Sequence, residues 1–162
     1  MPLVFRIIPL IIIFCSCNAC HPLKERPDPS SFMSVVNVID GDTFRADDGT
    51  EKGVVIRLIG VDAPETRNTG LKKASDFGFE AKDFLTDLLS GQKVRLEYDV
   101  GRQDRYGRTL AYVYLPDGTF VNAELLKQGY GMVMTVPPNV KYAEEFVKFE
   151  RRARRTGKGL WK

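Results

Sequence analysis

Past residue 21 the chain contains neither cysteine nor histidine. All three cysteines, Cys15, Cys17 and Cys20, and the single histidine, His21, belong to the N-terminal segment. The body that follows therefore has no disulfide of its own and no thiolate zinc site. Without an imidazole it also has no histidine general base, no His-metal motif and no Ser-His-Asp triad. Any hydrolysis there falls to carboxylates, arginines, lysines, tyrosines or an oxygen-ligated metal ion. A long hydrophobic run is missing too: the apolar stretch at residues 7–14 is too short to span a bilayer comfortably. Nor is there a strong excess of charge. The 24 Lys and Arg stand against 21 Asp and Glu, and a net +3 is mild for a protein that holds nucleic acid by charge alone.

What is present suffices for one domain plus a targeting segment, since a chain of 162 residues buries roughly 68–70% of its unfolded surface. Arg6, the apolar run and the small residues at 15–20 read as a secretory signal with its cleavage region. Cysteines directly after such a run also resemble a bacterial lipoprotein signal, with Cys17 or Cys20 lipidated; an uncleaved anchor is the plainer alternative. The expected organisation is a signal peptide at 1–20, a Pro-rich polar linker at 21–33 and one domain at 34–162, exported and either secreted or lipid-anchored at the cell envelope. Basic residues crowd two stretches, 101–108 and 148–162. Each can form a local anion-attracting patch, and the second reads equally as solvated surface charge.

Along the domain, apolar residues alternate through Val36 and Val38 up to Asp40-Gly41-Asp42, and a second strand starts at Thr43, so a hairpin is expected. Residues 53–61 form a β-branched run that reads as one buried central strand, with Arg57 inside it. Phe77, Ala81, Phe84, Leu85, Leu88 and Leu89 recur at helical spacing and stop before Gly91, which suits the position just beyond a helix. Strands follow at 93–98 and 109–115, with a short segment at 119–121. Asn122 is the expected cap of a second helix and Asn139, after Pro137-Pro138, of a third. The third helix carries Tyr142, Phe146, Phe149 and Ala153 as one apolar stripe, which reads as core. Short strands in succession, one inserted helix and terminal helices specify an α+β domain built on a small closed barrel.

Three short stretches carry chemistry. At Asp40-Gly41-Asp42-Thr43 a glycine turn brings carboxylates to a strand end, suitable for a hard cation, although Asp-Gly turns are common. At 56–66, IRLIGVDAPET, an apolar strand bears Arg57 and then delivers Asp62 and Glu65 within one turn. A guanidinium on a buried strand is costly unless it meets an anion, so Arg57 either pairs permanently with a carboxylate or awaits a phosphate. At 104–108, DRYGR, a glycine turn puts Arg108 at a strand start, where its planar fork can hold two phosphate oxygens; an ordinary charged hairpin is the bland reading.

In order and spacing, DGDT at 40–43, RLIGVDAPET at 57–66 and DRYGR at 104–108 resemble the staphylococcal nuclease (thermonuclease) family, over residues 35–161. The resemblance implies a five-stranded OB-type barrel with three helices and a calcium-dependent nuclease acting on DNA and RNA. It implies Ca²⁺ held by Asp42, Asp62 and the main-chain carbonyl of Ala63. The family commonly has threonine at that last position, and the alanine retains the carbonyl. Arg57 and Arg108 would grip the scissile phosphate, Glu65 would position or deprotonate the attacking water, and Tyr106 would contact a terminal phosphate. The chain departs from the family at Thr135, where a tyrosine commonly lines the nucleotide site. No protein partner is implied, and membrane attachment would come only through the N-terminal lipid. The competing reading is a non-catalytic module of the same fold that binds nucleic acid or protein.

Overall fold

β-Branched and aromatic residues in short runs, separated by Asp-Gly and Pro-Asp-Gly turns, favour many short strands over a few long ones. The computed structural model describes residues 32–66, 68 and 75–162. The cysteines, His21, the expected signal and nearly all of the expected linker lie outside the described residues. The elements are β1 Met33–Asp40, β2 Thr43–Ala46, β3 Val54–Leu58, β4 Gly60–Asp62, α1 Asp76–Leu89, β5 Lys93–Glu97, β6 Thr109–Tyr114, α2 Val121–Gln128, β7 Met132–Met134 and α3 Ala143–Arg155. Strands close into a barrel in the order β1-β2-β3-β6-β5, with β3 and β6 parallel and the remaining barrel pairs antiparallel. This is the expected α+β class with five barrel strands and three α-helices.

Phe44, Ala46, Ile56, Leu58, Val94, Ala111 and Val113 fill the core, alternating along their strands as a barrel interior requires. On β6, Tyr112 is buried as well. Its ring meets Tyr142 edge-on at 4.6 Å, with Phe120 and Phe146 at 6.1 Å, because the aromatic stripe of α3 covers the outside of that strand. The stripe is thus core, as its spacing predicts. Helix α1 opens with Ser75, whose side chain accepts from the Gly78 N–H at 3.1 Å, and it buries Ala81, Leu85 and Leu89.

Several elements depart from the sequence-based expectation. Val38 packs on the core as expected, but Val36 is exposed and Val35 packs there in its place, because the β1–β2 pairing shifts register between Val35 and Asn37 and breaks the two-residue period. The single strand expected at 53–61 is two strands. Gly60 has φ +79° and lies under the Phe146 ring, so the chain bends out of the barrel there and β4 pairs with β7, a strand the sequence pattern did not reveal. Neither asparagine caps a helix. Helix α2 starts two residues earlier than such a cap would set it, with Phe120 at the cap position, and the fully buried Asn122 accepts from Val113 N–H at 2.9 Å while donating to Ile59 O at 2.9 Å. An amide can satisfy a donor and an acceptor at once, and the bend at Ile59 leaves a carbonyl in need of one. Asn139 makes a two-point pairing with the Gly101 backbone, accepting from its N–H at 2.7 Å and donating to its carbonyl at 2.8 Å.

Candidate active site

The β2–β3 register sets Thr43 opposite Arg57, which brings the preceding Asp42 beside the guanidinium. Arg57 is only 8% exposed. Its Nη1 meets Asp42 Oδ2 as an ion pair without hydrogen-bond alignment, and its Nη2 donates to Asp62 Oδ1 at 3.1 Å. Burial pushes the Arg57 pKa below its ordinary value, Asp62 pulls it back up, Arg108 lowers it and Glu65 raises it. All three thus lie within electrostatic reach of one guanidinium, which stays protonated at neutral pH. Of the two readings of Arg57, the carboxylate pairing is the one seen here.

Asp42 also fastens the second motif to the first. Its Oδ2 accepts from the Ala63 N–H at 2.9 Å and its Oδ1 from the Thr43 hydroxyl at 2.9 Å. Close packing is possible because glycines stand where a side chain would collide. A Cβ on Gly41 would lie 2.7 Å from that of Ala63 and 2.9 Å from that of Ala81, and one on Gly78 would lie 2.3 Å from the Glu65 carbonyl oxygen. The Asp-Gly-Asp turn, the turn at 62–65 and the start of α1 are thereby pressed into one assembly, with Ala63 buried and Glu65 half-buried.

The third motif is organised by Asp104, to which sequence reasoning assigned no role. Its Oδ1 accepts from the backbone N–H groups of Tyr106 at 2.9 Å and Arg108 at 3.0 Å, and its Oδ2 accepts from Arg108 Nε at 2.6 Å. Burial raises its pKa, but those N–H groups and the guanidinium together outweigh burial and hold the carboxyl below its ordinary value. The signal available in the sequence was an aspartate four residues before an arginine across a glycine turn. Held by Nε, Arg108 keeps both Nη groups clear of any other hydrogen bond among the described residues. Tyr106 is 65% exposed, with Arg105 and Arg108 guanidinium carbons 4.7 and 5.5 Å from its ring centre.

Arg57, Tyr106 and Arg108 share a cleft of about 530 Å³ with Gly60, Gln103 and Asp104. The opposite wall is formed by Met134, Val136, Pro137, Pro138 and Asn139. The Asn139–Gly101 pairing ties the two walls together. Thr135 is exposed between two residues of that aliphatic wall and is not itself part of the lining. Asp42, Asp62 and Ala63 gather around the Arg57 guanidinium and are not themselves part of the cleft lining.

That cluster suits a hard cation. Asp42 and Asp62 reach the same guanidinium through its two Nη groups, and the side-chain donors they present are carboxylate oxygens. Among the described residues no group of three or more His, Cys, Asp or Glu gathers anywhere. With no thiolate or imidazole beside them, the two carboxylates do not make a site for a soft metal.

A family model described as staphylococcal nuclease homologue matches residues 55–162. The chain is 45% identical over 130 residues to a thermonuclease of Staphylococcus hyicus, covering 78% of this chain and 73% of that protein. It is 39% identical over 165 residues to a thermonuclease of Staphylococcus intermedius, covering 98% and 94%. A prophage-derived endonuclease of Bacillus subtilis, YokF, is 38% identical over 133 residues, covering 80% of this chain and 43% of that one.

Proposed function

The chain belongs to the staphylococcal nuclease family and is a nuclease, and from that premise we propose that it hydrolyses phosphodiester bonds of both DNA and RNA with calcium as its metal ion. The observation that carries the reading is the shared cleft in which Arg57 and Arg108 face the same space beside a pair of carboxylates. Phosphoryl transfer demands little covalent chemistry from the protein. It needs positive charge around the phosphoryl oxygens and a group to handle the attacking water.

In this reading Arg108, steadied by Asp104, presents its two Nη groups to non-bridging oxygens of the scissile phosphate. Arg57 adds a second cation from within the barrel, exchanging part of its pairing with Asp42 and Asp62 for the phosphate as negative charge builds. Glu65 accepts the proton of the attacking water, a task open to a carboxylate in a body without histidine. Tyr106, exposed beside the two arginines, contacts a terminal phosphate. Asp42, Asp62 and the carbonyl of Ala63 are the residues that would hold Ca²⁺. When bound, the ion supplies positive charge that favours negative charge accumulating on the phosphoryl group. The aliphatic wall at Met134 and Val136 replaces an aromatic platform, and the loss of one base-stacking ring costs about 1–3 kcal/mol of binding. Weaker substrate affinity with retained turnover is the expected result.

Export, with the protein secreted or lipid-anchored, is part of the same proposal and is supported by Arg6, the apolar run and the cysteines after it. The deciding experiment is hydrolysis of single-stranded DNA and of RNA at mildly alkaline pH with Ca²⁺, Mg²⁺ or EDTA. Cleavage of both polymers that requires calcium supports the reading, whereas cleavage that persists in EDTA removes the metal from it.

A further inference from the structure

The positive charge of this chain is concentrated in its last fifteen residues. Residues 148–162 hold seven Lys and Arg against the single Glu150, whereas the whole chain is only +3, so the remainder is net negative. Most of that charge lies on α3. Lys148, Arg151, Arg152 and Arg155 follow the i, i+3, i+4, i+7 spacing of one helix face, and all four are exposed. The opposite face carries the buried Phe146 and Ala153, so the four cations necessarily point to solvent.

Among the described residues none of the four takes part in an ion pair, in contrast to Arg154, which pairs with Glu150 at 3.3 Å and covers the Trp161 ring at 3.9 Å. Complementing the helix dipole explains Arg152 and Arg155 in the last turn, but not Lys148 and Arg151 before it. Helix α3 is also joined to the strand that leads into the cleft wall. Glu150, next to Arg151, accepts from the Val133 N–H at 3.2 Å, and the following residue, Met134, lines the cleft wall. Glu144 and Glu145 in the first turn repel a polyanion, which directs it onto the second half of the helix.

We propose that Lys148, Arg151, Arg152 and Arg155 form a second binding surface for the sugar-phosphate backbone of a nucleic-acid strand that extends out of the cleft. The inference rests on the reading of the cleft as the phosphodiester site. A strand held at both places dissociates more slowly after each cut, while a substrate confined to the cleft never reaches the stripe.

The test compares the full chain with a variant carrying Lys148→Gln, Arg151→Gln, Arg152→Gln and Arg155→Gln. Two probes are used, a long single-stranded oligothymidylate and a chromogenic p-nitrophenyl phosphodiester of thymidine. The variant is expected to raise KM on the long strand about tenfold near 50 mM salt and to flatten the dependence of log KM on log salt by about 0.7 for each phosphate that is no longer neutralised. Its kinetics on the small ester remain those of the unaltered protein. A companion variant with lysine at the three arginine positions restores the long-strand KM. Unmoved KM and salt slope overturn the inference, as does a change confined to melting temperature, which would assign the charges to the helix dipole alone. So does loss of binding to phosphatidylglycerol vesicles with DNA kinetics unchanged, which would make the stripe a membrane surface. Unaltered protein that cleaves neither probe overturns the phosphodiester reading and this inference together.

Discussion

Asp104 steadies Arg108 by accepting from its backbone N–H and its Nε while accepting a third hydrogen bond from the Tyr106 N–H, and much of the candidate site depends on small arrangements of this kind. Arg108→Ala should leave the fold intact, because the side chain is only partly buried, and should depress turnover by about a hundredfold or more, the scale seen when one preorganised donor to a transition state is removed. Steady-state kinetics alongside circular dichroism separate that result from simple unfolding. For Glu65→Gln the expectation is a near-native melting temperature and turnover lower by orders of magnitude, since the amide keeps the shape but cannot take a proton. Unchanged turnover would remove Glu65 from its assigned role. The carboxyl of Asp104 titrates below its ordinary value, so its hold on the loop is complete above about pH 4, the usual carboxylate range, and is lost as pH falls through the folded-state value. Tyr106 ring resonances followed by NMR on acidification should report the loosening, and Asp104→Asn should show it already at neutral pH.

At the scale of elements, the bend between β3 and β4 decides where the carboxylates go. Without it residues 53–61 would continue as one barrel strand and Asp62 would not fold back onto Arg57. Gly60→Ala combines a left-handed backbone with a Cβ 2.5 Å from the Phe146 ring and should destabilise by about 2–4 kcal/mol. Urea unfolding measures that loss; a change below half a kcal/mol would show that the ring and the strand adjust freely. The short strands, the three helices and the aromatic stripe of α3 were legible because period and turn chemistry are local properties. The pairing of β4 with β7 was not, because three-residue strands carry no readable period and their partners lie far apart in the chain. The asparagines were misread for a related reason. A side chain suited to capping a helix is equally suited to satisfying a stranded backbone group, and only the neighbouring carbonyl and N–H groups decide between them.

For the molecule as a whole, the metal proposal makes a prediction independent of catalysis. If Asp42, Asp62 and the Ala63 carbonyl hold calcium in the folded state only, calcium at a hundred times its dissociation constant should stabilise folding by about 2.7 kcal/mol. Thermal melts in Ca²⁺, Mg²⁺ and EDTA measure this directly, and superimposable curves would show that no such ion is bound. The α+β class, the closed barrel, the restriction to histidine-free chemistry and the three motifs were all determined by the sequence alone, since composition, periodicity and spacing are written along the chain. Tertiary structure alone decided that Arg57 pairs with Asp42 and Asp62, that Asp104 holds Arg108, that an aliphatic wall lines the same cleft as the arginines, and that four cations of α3 stay exposed on one side of that helix. Each of these depends on the direction of a side chain relative to residues distant in sequence, and that direction is set by barrel closure and close glycine contacts rather than by any local pattern.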